Sequence, residues 1–349
     1  MVKYFIAFIW LTTVVFGLEK GNIPLENLSL NRNATVLSQK DRKLYKPSYF
    51  AFKWDAKDNK TLKWRPQGIT GITLKNKEYL AVSWYGRKEA GFENRGVRVS
   101  FVNLTNKKSL KYRHVLLVDK KFQTFVGMHA GGLVCIDNKL HVPDTRNGKK
   151  IVHVFSINDI RKVSKKEKEK FFNYKYILQE ESSYNVPIKP SFMSYDFHKN
   201  KVLLGSFHKC LSKHSDSLEC VLDKRNRLSW YSIEKVNKKS KYSFPYFSEM
   251  QGAASCKDPY SKKDDLLFTT SSYGSRNKSH LHIVNISSKD SYRDGRGMTN
   301  YRVVEYPAGL EDMHITKNSD TLWLLTEFGP KEGRKNNRVV FAIKVKDLL

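Results

Sequence analysis

A short motif returns along this chain at almost constant spacing. A polar residue enters an apolar run, an Asn-Lys or Asp-Thr turn falls nine residues after the polar one, and a second apolar run follows. Gln67, His129, Ser191 and Glu311 head four copies, and Gln251 heads a fifth whose turn carries an insertion between Lys257 and Asp265. Successive heads stand 62, 62, 60 and 60 residues apart. A fixed period of this length marks a chain built by repetition of one supersecondary unit.

Within each unit the apolar runs are short, rich in β-branched and aromatic residues, and punctuated by turn residues with no helical period. This is the signature of antiparallel sheet. Four strands per unit fit everywhere except the last, where the chain ends one strand short. A spare strand, Ser48–Trp54, precedes the first unit. Pairing it into the last one closes the ring and leaves no open edge. The expectation is an all-β, five-bladed β-propeller, one domain over residues 45–349, closed by the N-terminal strand. In the second unit the fourth strand is expected at Tyr174–Gln179. The charged run Arg161–Lys170 before it reads as an excursion able to form a short exposed helix.

The N-terminus has the layout of a secretory signal peptide: Lys3, an apolar stretch from Tyr4 to Phe16, and a small-residue cleavage site after Gly17. Residues 1–17 would be removed, the apolar run being short for a membrane span. Residues 18–44 are polar and read as a mobile leader. The expected product is secreted, extracellular and monomeric, with no transmembrane segment. Asn-x-Ser/Thr sequons at Asn27, Asn33, Asn59, Asn103, Asn277 and Asn285 fit that route as glycosylation acceptors. Of the four cysteines, Cys210 and Cys220 bracket a polar loop and are expected to bridge. Cys135 and Cys256 lie in apolar strand patterns and read as buried free thiols, with a second disulfide as the alternative.

Composition matters chiefly through charge. Sixty-three Lys and Arg against 34 Asp and Glu leave a formal +29, while 40% hydrophobic content rules out global disorder. Such a surface draws anionic partners, a sulfated glycan or other polyanion before nucleic acid, or simply keeps the chain soluble. Basic residues interleave with aromatics at Lys107–Arg113, Lys120–Phe122, Arg161–Tyr176 and Lys235–Tyr246 and could stack on sugars or bases, although sheet packing accounts for the tyrosines.

In a propeller the first strand of each blade lines the channel. Gln67, His129, Ser191, Gln251 and Glu311, with the adjacent Asp312, are therefore expected to converge as a ligand-binding ring, or to satisfy one another and ordered water. The glycines after Gln67, Gln251 and Ala130 suggest close backbone approach. A divalent cation in the channel is the one cofactor this pattern admits, and only Glu311 and Asp312 bring charge to it. A hydrolase reading would use His129, Glu311 and Asp144, with Glu327 the further acidic candidate at a strand end. Ser83, Ser206 and Ser271 occupy the matching second-strand positions of other units, which weakens a carboxylate mechanism. No Gly-x-Ser-x-Gly elbow or phosphate-cradling glycine loop occurs.

The runs Trp64-Arg65-Pro66-Gln67-Gly68-Ile69, Gly96-Val97-Arg98-Val99-Ser100-Phe101-Val102, Tyr112-Arg113-His114-Val115-Leu116-Leu117-Val118, His129-Ala130-Gly131-Gly132, Met250-Gln251-Gly252 and Glu311-Asp312 resemble a family of secreted, β-propeller-like, mostly actinobacterial proteins. The likeness spans roughly residues 60–345. It implies export and a repeat fold, and it carries no catalytic roles. Five-bladed propellers of other families include lectins, nucleotidases and glycoside hydrolases, an analogy of fold alone. The expected function is binding of a polar or anionic ligand at the channel mouth and on the lysine-rich surface. The alternative is a secreted glycoside or phosphoester hydrolase.

Overall fold

The computed structural model describes residues 22–209, 223–235, 243–246, 249–261, 265–286, 298–333 and 337–349. The chain is all-β in these segments apart from 3-10 turns and one short helix, Ala56–Lys60, capped by the Asp55 carboxylate, which accepts from the Asp58 N–H.

The described strands form five sheets. In the first, Trp64–Leu74, Lys77–Gly86, Val97–Asn103 and Lys111–Val118 run antiparallel in chain order. The second holds Val134–Ile136, Lys139–Asp144, Ile151–Ser156 and Ser182–Asn185. The third holds Phe192–Asp196, Lys201–Gly205, Asp223–Tyr231 and Ser243–Tyr246. The fourth holds Met250–Lys257, Asp265–Ser271, Ser279–Ile286 and Met298–Tyr306. In the fifth, Leu310–Ile315, Thr321–Thr326 and Val339–Lys344 are followed by Phe50–Lys53 from the other end of the chain, with Thr35–Val36 outside it.

The sheets stand in a β-propeller arrangement, and the first strand of each packs on those of its neighbours. A Cβ at Gly68 would lie 2.6 Å from the Gly132 carbonyl carbon, and one at Gly252 would lie 2.6 Å from Asp312 Cα. Only a residue without a side chain allows strands that near. Gly132 presses likewise on Met193, the Ser255 hydroxyl donates to Asp196 Oδ2 between the fourth and third sheets, and Gly71 abuts His314 between the first and fifth.

Hydrophobic cores fill the spaces between adjacent sheets. Val99, Phe101 and Val115 of the first meet Leu140, Val142 and Phe155 of the second. Trp84 of the first meets Phe52 and Val340 of the fifth, and Phe268 of the fourth meets Leu322 and Phe341 of the fifth. Each sheet thus buries both faces. This explains why the strands read as nearly continuous apolar runs rather than as strict alternation.

Three expectations need correction. Tyr176–Gln179 does not complete the second sheet: it joins the first, running parallel to Lys111–Val118, and Ile160–Lys162 and Asn22–Ile23 extend that sheet further. The polar strand Ser182–Asn185 takes the vacant place in the second sheet. The charged excursion Arg161–Lys170 forms the end of the strand Ile160–Lys162 and a 3-10 turn, Lys165–Glu167, in place of a helix. From Asn22 on, where it is described, the leader is not loose either. Arg32–Asn33 pairs with Lys111–Val118, and Leu25 and Leu28 are buried in the core between the first two sheets. Two leucines in a polar stretch are enough to dock it, because each finds an apolar seat already formed.

Candidate functional site

The repeat heads share more than a sequence position. In three of the sheets the pairing of the first strand with the second slips where the head lies: between Pro66 and Ile69, between Met250 and Gly252, and between Leu310 and Met313. Bulges of this kind re-aim a side chain out of the regular alternation, and they concentrate at barrel rims and sites. Gln67, Gln251, and Glu311 with Asp312 sit in them. His129 and Ser191 stand in the equivalent place just before Val134–Ile136 and Phe192–Asp196.

Their surroundings differ. Gln67 is buried and its Nε2 donates to the Pro66 carbonyl at 3.2 Å, while Gln251 Nε2 donates to the Ser272 carbonyl at 3.1 Å. Ser191 Oγ accepts from the Phe207 N–H at 2.9 Å. The exposed His129 lies flat on Tyr85, ring centroids 4.4 Å apart and planes 15° from parallel. Crowding by neighbouring atoms lowers its basicity from the usual histidine value.

Glu311 is 1% exposed and its carboxyl contacts that of Glu327, the residue just after the strand Thr321–Thr326. Burial raises the pKa of Glu311 well above the ordinary 4.5, and the Glu327 charge raises it further. Burial raises Glu327 as well, but Arg65, 3.0 Å away, opposes that rise. Like charges in contact cannot both ionise in so dry a place, so the pair holds one proton, on Glu311. The Tyr85 hydroxyl donates to Glu327 Oε1 at 3.4 Å. Behind the pair, Glu332 receives Arg65 at 2.7 Å, Arg338 at 2.9 Å and Arg87 at 3.2 Å, while Arg338 Nε donates to the Glu327 carbonyl at 2.7 Å.

Asp312 turns away from this group. Its Oδ2 accepts from the Ile69 N–H at 3.1 Å, and the Leu133 N–H also serves it, so one carboxyl braces three sheets. Asp144 is buried. Arg146 grips it at 2.7 to 3.0 Å and His153 at 3.3 Å, and their pull outweighs burial to hold it well below the usual carboxylate range. Ser83 has become a strut, accepting from the Gly68 N–H and donating to the Ala130 carbonyl, both at 2.8 Å.

Of the residues expected to act together, Glu311 finds Glu327, while Asp144 has Arg146 and His153 for partners. Arg65, Tyr85 and Glu332 were not singled out from the sequence. Arg65 sits two residues before Gln67 and Tyr85 two after Ser83, so the repeat pattern pointed at their neighbourhood. Glu332 belongs to no repeat position. Among the described residues no group of three or more His, Cys, Asp or Glu side chains is placed to hold a metal ion.

A second polar group invites attention because it has the connectivity of a nucleophilic triad. Ser100 Oγ lies 2.8 Å from His114 Nδ1, and His114 Nε2 lies 2.8 Å from Asp58 Oδ2. Ser100 is fully buried, however, and Asp58 also accepts from Arg98 at 2.9 Å and Tyr112 at 2.7 Å. Burial lowers His114 to about 4, so it is a neutral hydrogen-bond relay that pins the Ala56–Lys60 helix to the first sheet. A hydroxyl that no substrate reaches is not a nucleophile.

Cys135 and Cys256 are free, and burial pushes both thiols up to about 12. Cys210 and Cys220 lie outside the described residues. Asn27, Asn33 and Asn277 are exposed and Asn103 and Asn285 half-buried, whereas Asn59 is buried, with Nδ2 donating to Asn337 and Oδ1 accepting from the Arg338 N–H. No described helix is long and apolar enough to cross a membrane.

No protein-family model matches the chain, and no curated protein matches it. Solved structures resemble it in shape at low identity. A GH43_1 enzyme from Xanthomonas citri is 11% identical over 81% of this chain and 88% of its own, with a TM-score of 0.43. The hydrazine synthase of Kuenenia stuttgartiensis is 9% identical over 74% and 73%, with a TM-score of 0.34. The Dos1 propeller is 9% identical over 77% and 68%, with a TM-score of 0.33. At these scores the likeness assigns no chemistry.

Proposed function

We propose that this chain is an exported, glycosylated binding protein that takes a polar or anionic ligand, a glycan fitting best, at the mouth of its channel. The five sheets are read as five blades, with Phe50–Lys53 closing the ring against Val339–Lys344. The lysine-rich surface attracts the ligand and the mouth selects it. One observation carries the reading: three inner strands bulge at the same repeat position, and each bulge presents a polar head. Two carboxamides and the Tyr85–His129 stack offer donors and acceptors beside a flat ring face, and the buried Glu311–Glu327 pair sets the charge behind them. That is the complement of a sugar's hydroxyls and apolar face.

A hydrolase is the second reading, favoured by the same pair, since one carboxyl holds a proton and the other a charge. Carboxyls that flank a glycosidic bond stand about 5–5.5 Å apart in retaining enzymes and about 6.5–9.5 Å in inverting ones. Glu311 and Glu327 touch, and Asp144 is already engaged, so binding is preferred. Screening the intact chain on a glycan array, then titrating the best saccharide into wild type, Gln67→Ala and Glu311→Gln, tests this. Binding weakened about tenfold or more in both variants is expected. An array with no saccharide bound refutes it, and product release abolished by Glu311→Gln would favour the hydrolase.

A further inference from the structure

Beside the Ala56–Lys60 helix, apart from the channel mouth, lies a cleft of about 550 Å³ bounded by the start of Trp64–Leu74, the Glu93–Arg95 turn and the loop before Tyr176–Gln179. Its cations are held by aromatic rings more than by carboxylates. The Arg98 guanidinium lies 4.5 Å from the Trp64 ring centre and 4.8 Å from that of Trp84. Arg95 sits 3.9 Å from Phe172 and 5.3 Å from Phe92, and Lys63 lies 4.6 Å over Phe92. A ring face fixes a cation in place without cancelling its charge, so the cleft keeps a preorganised positive field.

The balance of charge supports this. Among the described residues Asp58 is the one carboxylate lining the cleft; Arg98 and Arg32 already engage it at 2.9 and 3.2 Å, and Arg32 also meets Asp55 at 2.6 Å. Among the described residues Lys63, Arg95 and Lys175 have no carboxylate partner. A second observation is independent of charge. The Nε–H groups of Arg95 and Arg98 are buried with no acceptor among the described residues, the rest of the Arg98 guanidinium bonding Asp58 and Tyr174, and Arg98 is only 5% exposed. A buried donor left without a partner is costly, and an acceptor that reached it would recover that cost.

We infer that this cleft is a binding site for a sulfate or phosphate ester group carried on a small molecule. Guanidinium forks match the oxygens of a tetrahedral oxyanion, and Lys63 and Lys175 at the rim add point charge. A cleft of this size suits one or two sugar rings better than a nucleic-acid strand. The inference does not rest on the channel-mouth reading, which concerns a different set of residues.

Calorimetry on the intact chain at about 150 mM salt tests it, using a trisulfated heparin disaccharide, glucose 6-phosphate and a single-stranded RNA dodecamer as probes. At least one of the two esters should bind, and the disaccharide or the sugar phosphate binding more tightly tells which ester the site takes. Affinity should fall about tenfold or more in Lys63→Glu/Lys175→Glu, which alters exposed side chains and is checked for an unchanged melting temperature. Arg95→Ser serves as a second variant should that one melt early. The charge-matched Lys77→Glu/Lys317→Glu should stay within about twofold of wild type. Equal losses in the cleft and control variants would show a diffuse surface effect and overturn the proposal. So would binding of RNA with neither ester bound, or no binding at all.

Discussion

Glu311 is the residue whose chemistry depends most on its setting. A carboxyl whose pKa is raised by folding binds a proton in the native state that the unfolded chain gives up. Stability therefore falls as pH rises from the ordinary carboxyl range toward the raised native value, at about 1.4 kcal/mol for each unit of difference. Gln keeps the shape and hydrogen bonding of a protonated Glu and carries no proton to lose. Glu311→Gln is expected to melt above wild type at pH 8, with the gain vanishing by about pH 4, where both states of the wild type are protonated. Scanning calorimetry across that range checks it, and a gain independent of pH would show that the proton is not on this pair. The polar head itself was legible from the repeat. Its contact with Glu327 was only half legible, since a hairpin joins the two strands but the bulge at Leu310–Met313 sets which side chains meet.

At the scale of elements, Phe50–Lys53 has the clearest consequence. It covers the outer edge of Val339–Lys344, and the chain then enters Trp54, buried with its ring 4.9 Å from Trp84 and 5.0 Å from Tyr112. A chain beginning at Asp55 leaves a hydrogen-bonding edge open and an aromatic seat empty. Open edges recruit other chains. Light scattering behind size exclusion should show the truncated chain as larger species than the intact one, and an unchanged mass would mean the edge is protected otherwise. The spare strand was readable by counting. The place of Tyr176–Gln179 was not, since its apolar alternation says only that it is a strand. Ser182–Asn185, with no apolar face, gave no signal at all, yet it completes the second sheet through backbone pairing.

For the molecule as a whole, the buried imidazoles decide the response to acid. Burial lowers His114, His141 and His314 to about 4 and His282, with His280 beside it, to about 3. A histidine held neutral in the fold favours the native state fully above its unfolded value of about 6.5, and that contribution is lost as pH falls toward 4. The sign is opposite to that of Glu311. Urea midpoints should drop over this interval, and His314→Gln, which cannot take up a proton, should drop less. Equal slopes for variant and wild type would mean His314 titrates normally.

The sequence alone determined the repeat, the all-β class, the heads of the units and the spare strand, because each is a local pattern of polarity with a fixed period. Only the tertiary structure decided which strand joins which sheet, that the leader docks, and that the ionisable groups segregate. Backbone pairing is indifferent to side-chain type, so a polar strand and an apolar one can exchange places. Charges are selective only across space. Arg65 meets Glu327 and Glu332 from the far end of the chain, Asp144 is claimed by Arg146 and His153, and the cations beside the Ala56–Lys60 helix are held on rings contributed by three separate segments. No one-dimensional pattern records such meetings, because their energies depend on distance and burial and not on separation along the chain.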